Sequence, residues 1–364
     1  MKNPFPFETL ADGSTFYGRE KELVQIYKFA KNSTNLLIYS KRRMGKTTLI
    51  KEFMRRQNSE FVCIYSDIFD ITCGEDFVRE LLKNTAKSQE HTFKTTFNTL
   101  LSKLKRISFE ITLDPNTYEL SANPMIKNAN FDEAMDDLFA MLTEISKDKK
   151  VVFIIDEFQQ IAEFKELKID VRLRKFMQQS KNISFVFLGS KRHVLTSLFS
   201  HKMPLFEMAT HLELGGIEPN AAYEYAKEFL NVSRVQMKNL FDLCKSDTKL
   251  VQNILYFVYE NEKTLDANSV KSALDTLLQS KDGAYRLLFD TFTSNQKKVL
   301  EMIVSQQKEY FKASVLSSHN ISKTSVQAAL KQLFVREIID KEDGAYFVPE
   351  TTFGFWLEKI FRGK

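Results

Sequence analysis

Cysteine is rare in this chain. The three in 364 residues, Cys63, Cys73 and Cys244, are odd in number and far apart. That excludes a disulfide framework and a cysteine-based metal motif, and it fits a reducing compartment. The five histidines are scattered and make no metal-ligand spacing. No apolar run approaches the roughly 20 residues that span a bilayer, and the opening Met-Lys-Asn-Pro-Phe-Pro-Phe has no signal-peptide core. A cytoplasmic location and no membrane partner are expected. Internal repeats and low-complexity segments are also missing. Neither sign of charge dominates: 52 Lys+Arg against 47 Asp+Glu leave a net +5, compatible with nucleic acid without requiring it. What is present is a globular composition, 43% hydrophobic and 27% charged, in a length suited to two or three domains. The 32 phenylalanines fall in helix and strand patterns and are read as core.

The densest signal lies at residues 36–48. Leu36, Leu37, Ile38 and Tyr39 read as a buried strand, a polar loop ends in Gly45-Lys46-Thr47, and a helix pattern follows through Leu49, Ile50, Phe53 and Met54. Strand, loop and helix N-terminus together make a phosphate site, because backbone N–H groups and the helix dipole favour an anion there. In the pattern G-x-x-x-x-G-K-[ST], the lysine reaches the β and γ phosphates and the hydroxyl holds Mg²⁺. Lys46 and Thr47 take those places, and Ser40 stands where the first glycine is expected. A second signal is Val151-Val-Phe-Ile-Ile-Asp156-Glu157, an apolar strand ending in two carboxylates. Ligands bind at that edge of a parallel α/β sheet. Asp156 is expected to hold Mg²⁺, and Glu157 to act as general base toward the attacking water. A third apolar strand, 184–190, ends in a small polar residue, Ser190.

Along the rest of the chain, an amphipathic helix follows Phe16-Tyr17-Gly18-Arg19-Glu20, and a strand from Phe61 to Tyr65 ends at Ser66-Asp67. Residues 85–130 read as an insertion, with a helix around Phe97–Leu104 and a hairpin beginning at Ile107 and turning at Asp114-Pro115. Helices are expected at 131–146, 171–180, 219–230, 234–245, 249–260 and 267–279. The last segment reads as helices 293–304, 313–318 and 322–335, with Ser322 as a cap, then a hairpin on Asp343-Gly344. Three helices and a two-stranded wing make a winged helix-turn-helix. The expected division is an α/β domain at 1–214, a helical lid at 215–290 and a winged helix at 291–364.

These motifs in this order resemble the archaeal-type ATPase family, within the STAND branch of the AAA+ superfamily. The similarity rests on Phe16-Tyr17-Gly18-Arg19-Glu20-x-Glu22-Leu23, on Ser40-Lys41-Arg42-Arg43-Met44-Gly45-Lys46-Thr47-Thr48, and on Ile155-Asp156-Glu157-Phe158-Gln159. It rests further on Gly189-Ser190 with Pro204-Leu205-Phe206, and on Phe353-x-x-Trp356-Leu357. The fold it implies is α/β: a P-loop AAA+-type three-layer parallel sheet, then a helical lid and a C-terminal winged helix-turn-helix. The resemblance implies that Gly18 and Arg19 lie near the adenine, and that Ser40, Lys41, Arg42, Arg43, Met44, Gly45, Lys46, Thr47 and Thr48 line the phosphates. Lys46, Glu157 and Ser190 would be catalytic, with Thr47 and Asp156 on Mg²⁺. Met208 stands where the family usually has an arginine, and Arg192 is the candidate substitute.

The leading expectation is an ATP-binding and ATP-hydrolysing, Mg²⁺-dependent switch whose nucleotide state is coupled to the winged helix. The expected partners are ATP, a protein trigger of unspecified kind, and further copies of the chain in a nucleotide-dependent oligomer. The alternative is a DNA-binding regulator with a degenerate, slowly or non-hydrolysing site. Lys323, Thr324, Gln327, Lys331 and Arg336 would face DNA, but residues 290–364 carry eleven basic and nine acidic side chains, a weak basic bias for a DNA reader. No Asn-Lys-x-Asp guanine-reading motif occurs, which favours ATP over GTP.

Overall fold

A computed structural model describes residues 3–88, 107–113, 120–126, 130–306, 309–342 and 344–363. The helix expected at Phe97–Leu104 and the turn residues at 114–117 and Asp343 lie outside them. The chain forms two compact units: Arg19–Lys41 with Gly45–Gly215, and Met1–Gly18 with Arg42–Met44 and Gly216–Lys364. No described helix is long and apolar enough to cross a membrane.

The first unit is a parallel sheet. Its strands are β1 (Leu36–Tyr39), β2 (Val62–Asp67), β5 (Val151–Asp156), β6 (Ile183–Gly189) and β7 (Thr210–Glu213), in the order β2-β5-β6-β1-β7. Every neighbouring pair is parallel. β1, β5 and β6 are buried along their whole length, as strands covered on both faces must be. Helices α1 (Glu20–Lys31), α2 (Lys46–Gln57), α3 (Gly74–Lys87), α4 (Phe131–Asp148), α5 (Ile169–Gln179) and α6 (Arg192–Leu198) belong to the same unit. Leu81, Leu138, Met141, Phe153, Phe185 and Phe187 share its core. The expected hairpin is present as β3 (Ile107–Leu113) and β4 (Leu120–Ile126), antiparallel with Leu113 opposite Leu120. β7 has no counterpart in the sequence reading. It is four residues long and largely exposed, so the apolar run that marks the other strands is missing.

The second unit carries α7 (Pro219–Ala226), α8 (Arg234–Leu243), α9 (Thr248–Asn261) and α10 (Ala267–Asp290), packed around Met237, Phe241, Ile254 and Leu277. It continues with α11 (Ser294–Val304), α12 (Ala313–Ser318), α13 (Lys323–Val335), β8 (Asp340–Glu342), β9 (Ala345–Phe347) and α14 (Thr351–Arg362). Ser322 caps α13 by accepting the Ser325 N–H, as its position predicts. Asp340 pairs with Phe347 in the wing, and Gly344 turns it at φ +83°. Two helices go beyond the sequence reading. α10 extends from the expected 279 to Asp290, because Leu278 and Tyr285 pack into the same core as Trp356 and Leu357, and packing overrides the low helix propensity of Gly283. α14 organises the Phe353-x-x-Trp356-Leu357 run as a helix whose Trp356 Nε1 donates to Asp282 at 2.8 Å.

Candidate nucleotide site

Strand order positions the site. β6 lies between β1, which feeds the phosphate loop, and β5, which ends in the two carboxylates. Ser190, one residue past β6, therefore emerges between them. Gly45 caps α2 in the left-handed region at φ +86°. A side chain there would strain the backbone by about 1–2 kcal/mol, so this glycine serves the turn that starts the helix. Ser40 is absent from the positive-φ residues, and so fits the place of the first loop glycine without strain. Its hydroxyl donates to the Lys41 carbonyl at 2.7 Å and accepts from Lys46 Nζ at 3.0 Å. The substitution thus gives the buried lysine a polar partner.

Thr47 Oγ1 donates to Asp156 Oδ2 at 3.1 Å, which brings the two expected Mg²⁺ ligands together. Asp156 is 3% exposed, and its Oδ1 accepts the Glu157 N–H at 2.9 Å. Glu157 sits in the left-handed region at φ +54°, an uncommon setting for a side-chain-bearing residue. Its Oε2 accepts from Gln159 Nε2 and, at 3.4 Å, from the Ser190 hydroxyl. Lys46, the Thr47 hydroxyl, both carboxylates and Ser190 therefore come from one edge of one sheet.

Other expected residues are placed differently. Arg19 is buried and donates to the Gly215 carbonyl at 2.6 Å and to Glu22 at 2.9 Å. Gly18, at φ +73°, belongs to the second unit, where a Cβ would lie 2.6 Å from Ile217 Cγ2. Arg42, Arg43 and Met44 group with that unit as well. There Arg42 pairs with Glu337, and Arg43 pairs with Glu350 at 2.9 Å. Lys41 is exposed, and Thr48 is half-buried in the first turn of α2. Arg192 is exposed, 3.0 Å from Glu213 and 5.6 Å from the Tyr39 ring centre. Met208 packs against the sheet core, so an apolar contact occupies the place of the family's arginine.

Four residues escaped the sequence reading. Tyr65 donates to Asp156 Oδ2 at 2.7 Å, and its phenol is raised well above the ordinary range by burial and by the Asp156 charge. Lys51 Nζ lies 3.4 Å from the centre of the Tyr65 ring, and partial burial lowers its pKa against the opposing pull of Asp156 and Asp67. Asp67 is raised by desolvation and by the carboxylates of Asp156, Glu157 and Asp70. Gln159 is 3% exposed and fills the space over Gly189, where a Cβ would fall 2.1 Å from Gln159 Oε1 and 2.6 Å from Leu195 Cδ1. Gln159 is visible in the sequence as the end of Asp156-Glu157-Phe158-Gln159, but its contact with Glu157 is not. Gly189→Ala is expected to destabilise the protein by about 1–3 kcal/mol, the usual cost of overpacking. Urea unfolding would measure that loss.

Comparison with known proteins bears on the family and the fold. Residues 16–238 match the family model described as an ATPase domain predominantly from Archaea. The chain belongs to that family. Residues 283–359 match a probable winged helix domain. An uncharacterized ATP-binding protein of Methanocaldococcus jannaschii is 28% identical over 241 residues, covering 60% of this chain and 62% of its own. An uncharacterized ATP-binding protein of Pyrococcus abyssi is 30% identical over 156 residues, covering 41% of this chain and 45% of its own. The chain thus spans less than two thirds of either relative. Among solved structures, a Walker-type ATPase of Pyrococcus abyssi superposes with a TM-score of 0.64 at 17% identity, over 98% of this chain and 99% of that one. The protein thus combines the archaeal ATPase domain with a probable winged helix domain, in a fold shared with that Walker-type ATPase.

Proposed function

We propose that this ATPase-family protein binds ATP with Mg²⁺ and hydrolyses it at the edge of its parallel sheet, as a switch coupled to the winged helix. The observation that carries the reading is the convergence of Lys46, Thr47, Asp156 and Glu157, with Thr47 3.1 Å from Asp156. The two archaeal relatives are both named as ATP-binding proteins, which supports the choice of ATP. Lys46 would leave the Ser40 hydroxyl for the β and γ phosphates, whose oxygens also meet the N–H groups at the start of α2. Thr47 and Asp156 offer hard oxygen donors, the set Mg²⁺ takes beside substrate phosphates. Bound there, the ion supplies neutralisation of charge on the phosphate oxygens. Glu157 would accept a proton from the water whose oxygen bonds to the γ-phosphorus as the bond to the β–γ bridging oxygen breaks. Gln159 and Ser190 both donate to Glu157 Oε2, so Oε1 would be the oxygen that takes the proton. Ser190 would link the γ-phosphate to the base. Arg192 could be recruited at small cost, since its exposed pair with Glu213 is worth only about 0–1 kcal/mol. The test is phosphate release from ATP that requires Mg²⁺ and disappears on substitution at Glu157.

A second reading, DNA binding through the winged helix, is favoured by one observation. Lys323, Thr324, Gln327 and Lys331 are all exposed on α13. Arg336 contributes less, because it donates to the Thr291 hydroxyl at 2.7 Å and stacks 4.8 Å from the Phe292 ring centre. If α13 meets duplex phosphates, Lys331→Ala should weaken binding across all sequences and reduce the slope of log affinity against log salt by about 1. A salt-independent affinity would remove this reading.

A further inference from the structure

We infer that Tyr65 is a positioning residue for Asp156, fixing the carboxylate that receives the metal of the metal–nucleotide complex, with Lys51 holding the tyrosine ring in place. This rests on the Mg-ATP reading above and adds two residues to it that no phosphate-loop pattern contains.

Register explains how Tyr65 reaches the site. In the parallel pair β2–β5, Tyr65 is opposite Ile154 and Asp67 opposite Asp156. Paired residues share a face of the sheet, and so do residues two apart on one strand. Asp156 therefore lies on the Tyr65 face, about 6–7 Å further along, a span that a tyrosine side chain covers. The hydroxyl arrives 2.7 Å from Asp156 Oδ2, closer than the 3.1 Å of Thr47 to the same oxygen. Asp156 Oδ1 is tied separately to the Glu157 N–H at 2.9 Å. Held at both oxygens, the carboxylate cannot rotate without breaking a hydrogen bond. A phenylalanine would fill the strand position equally well, so the hydroxyl has its use in this contact.

The other end of the arrangement lies on α2. Lys51 follows Thr47 by four residues, one helical turn on the same face. Its ammonium lies 3.4 Å from the Tyr65 ring centre, within the range where a cation is attracted to an aromatic face. One helix thus presents Thr47 to Asp156 and Lys51 to the tyrosine that orients Asp156. Groups that hydrogen-bond to a metal's ligand orient it and tune its basicity, and losing one typically costs about 10–100-fold in metal affinity.

The experiment titrates Mg²⁺ into the full chain with a fluorescent ATP analogue, comparing the parent with Tyr65→Phe. A parallel titration in EDTA gives the affinity for metal-free nucleotide. Tyr65→Phe is expected to need about 10–100-fold more Mg²⁺ for half of the metal-dependent gain in affinity, with the EDTA affinity unchanged. Free Mn²⁺ followed by electron paramagnetic resonance should show the same shift without relying on turnover. An unchanged Mg²⁺ requirement would overturn the proposal. So would an equal fall in affinity with and without metal, which is the mark of a merely structural residue. Failure of the underlying reading looks different: the parent itself would then show no Mg²⁺ effect on nucleotide affinity.

Discussion

Glu157→Gln should hold ATP with parental affinity and release phosphate about 10²–10⁴-fold more slowly, the usual contribution of a positioned general base. The substitution keeps the shape of the side chain. Its amide oxygen can still accept from Gln159 and from the Ser190 hydroxyl, and the backbone N–H still meets Asp156 Oδ1. What it loses is the capacity to take a proton. Binding and chemistry therefore separate in this variant, measured by calorimetric titration with ATP and by steady-state phosphate release on the same preparation. A Glu157→Gln protein as fast as the parent would place the base elsewhere and leave Glu157 a turn residue with left-handed backbone.

Lys46→Ala is expected to fail earlier, at binding. Lys46 is buried, with its ammonium 3.0 Å from the Ser40 hydroxyl, and carries the charge placed to meet phosphate oxygens. Removing a hydrogen-bond donor of that charge costs about 1.5–3 kcal/mol, which is roughly a 10–150-fold loss of ATP affinity. Transition-state stabilisation at the same oxygens adds about 10²–10³ in rate. The fold should survive, because alanine is the best helix former at the start of α2 and Ser40 keeps its bond to the Lys41 carbonyl. Equal ATP affinity in parent and variant would mean that Lys46 does not face the phosphates.

Much of this site was legible in the sequence because its parts are local. Leu36–Tyr39 and Val151–Ile155 are continuous apolar runs, and both are fully buried strands. Gly45-Lys46-Thr47 and Asp156-Glu157 lie at their ends, where a parallel sheet collects its ligands. What stayed hidden depends on strand pairing. Tyr65 is an ordinary aromatic in a strand until the register brings Asp67 opposite Asp156. Gln159 becomes part of the site only when Gly189, from a neighbouring strand, makes room for it. The arginines show the converse. By the family resemblance Arg42 and Arg43 are expected to line the phosphate loop, and the structure pairs them with Glu337 and Glu350, about 300 residues away in the chain. The β7 edge strand and the last eleven residues of α10 were missed for one shared reason: tertiary contacts stabilise them and local pattern does not.

The measurement that bears most directly on the account is steady-state phosphate release from ATP by the parent protein, with Mg²⁺ and with EDTA, beside Glu157→Gln purified in the same way. The account predicts release that needs Mg²⁺ and falls at least about 10²-fold in the variant. Release that ignores both the metal and the substitution, or no release from a parent saturated with Mg-ATP, would contradict it.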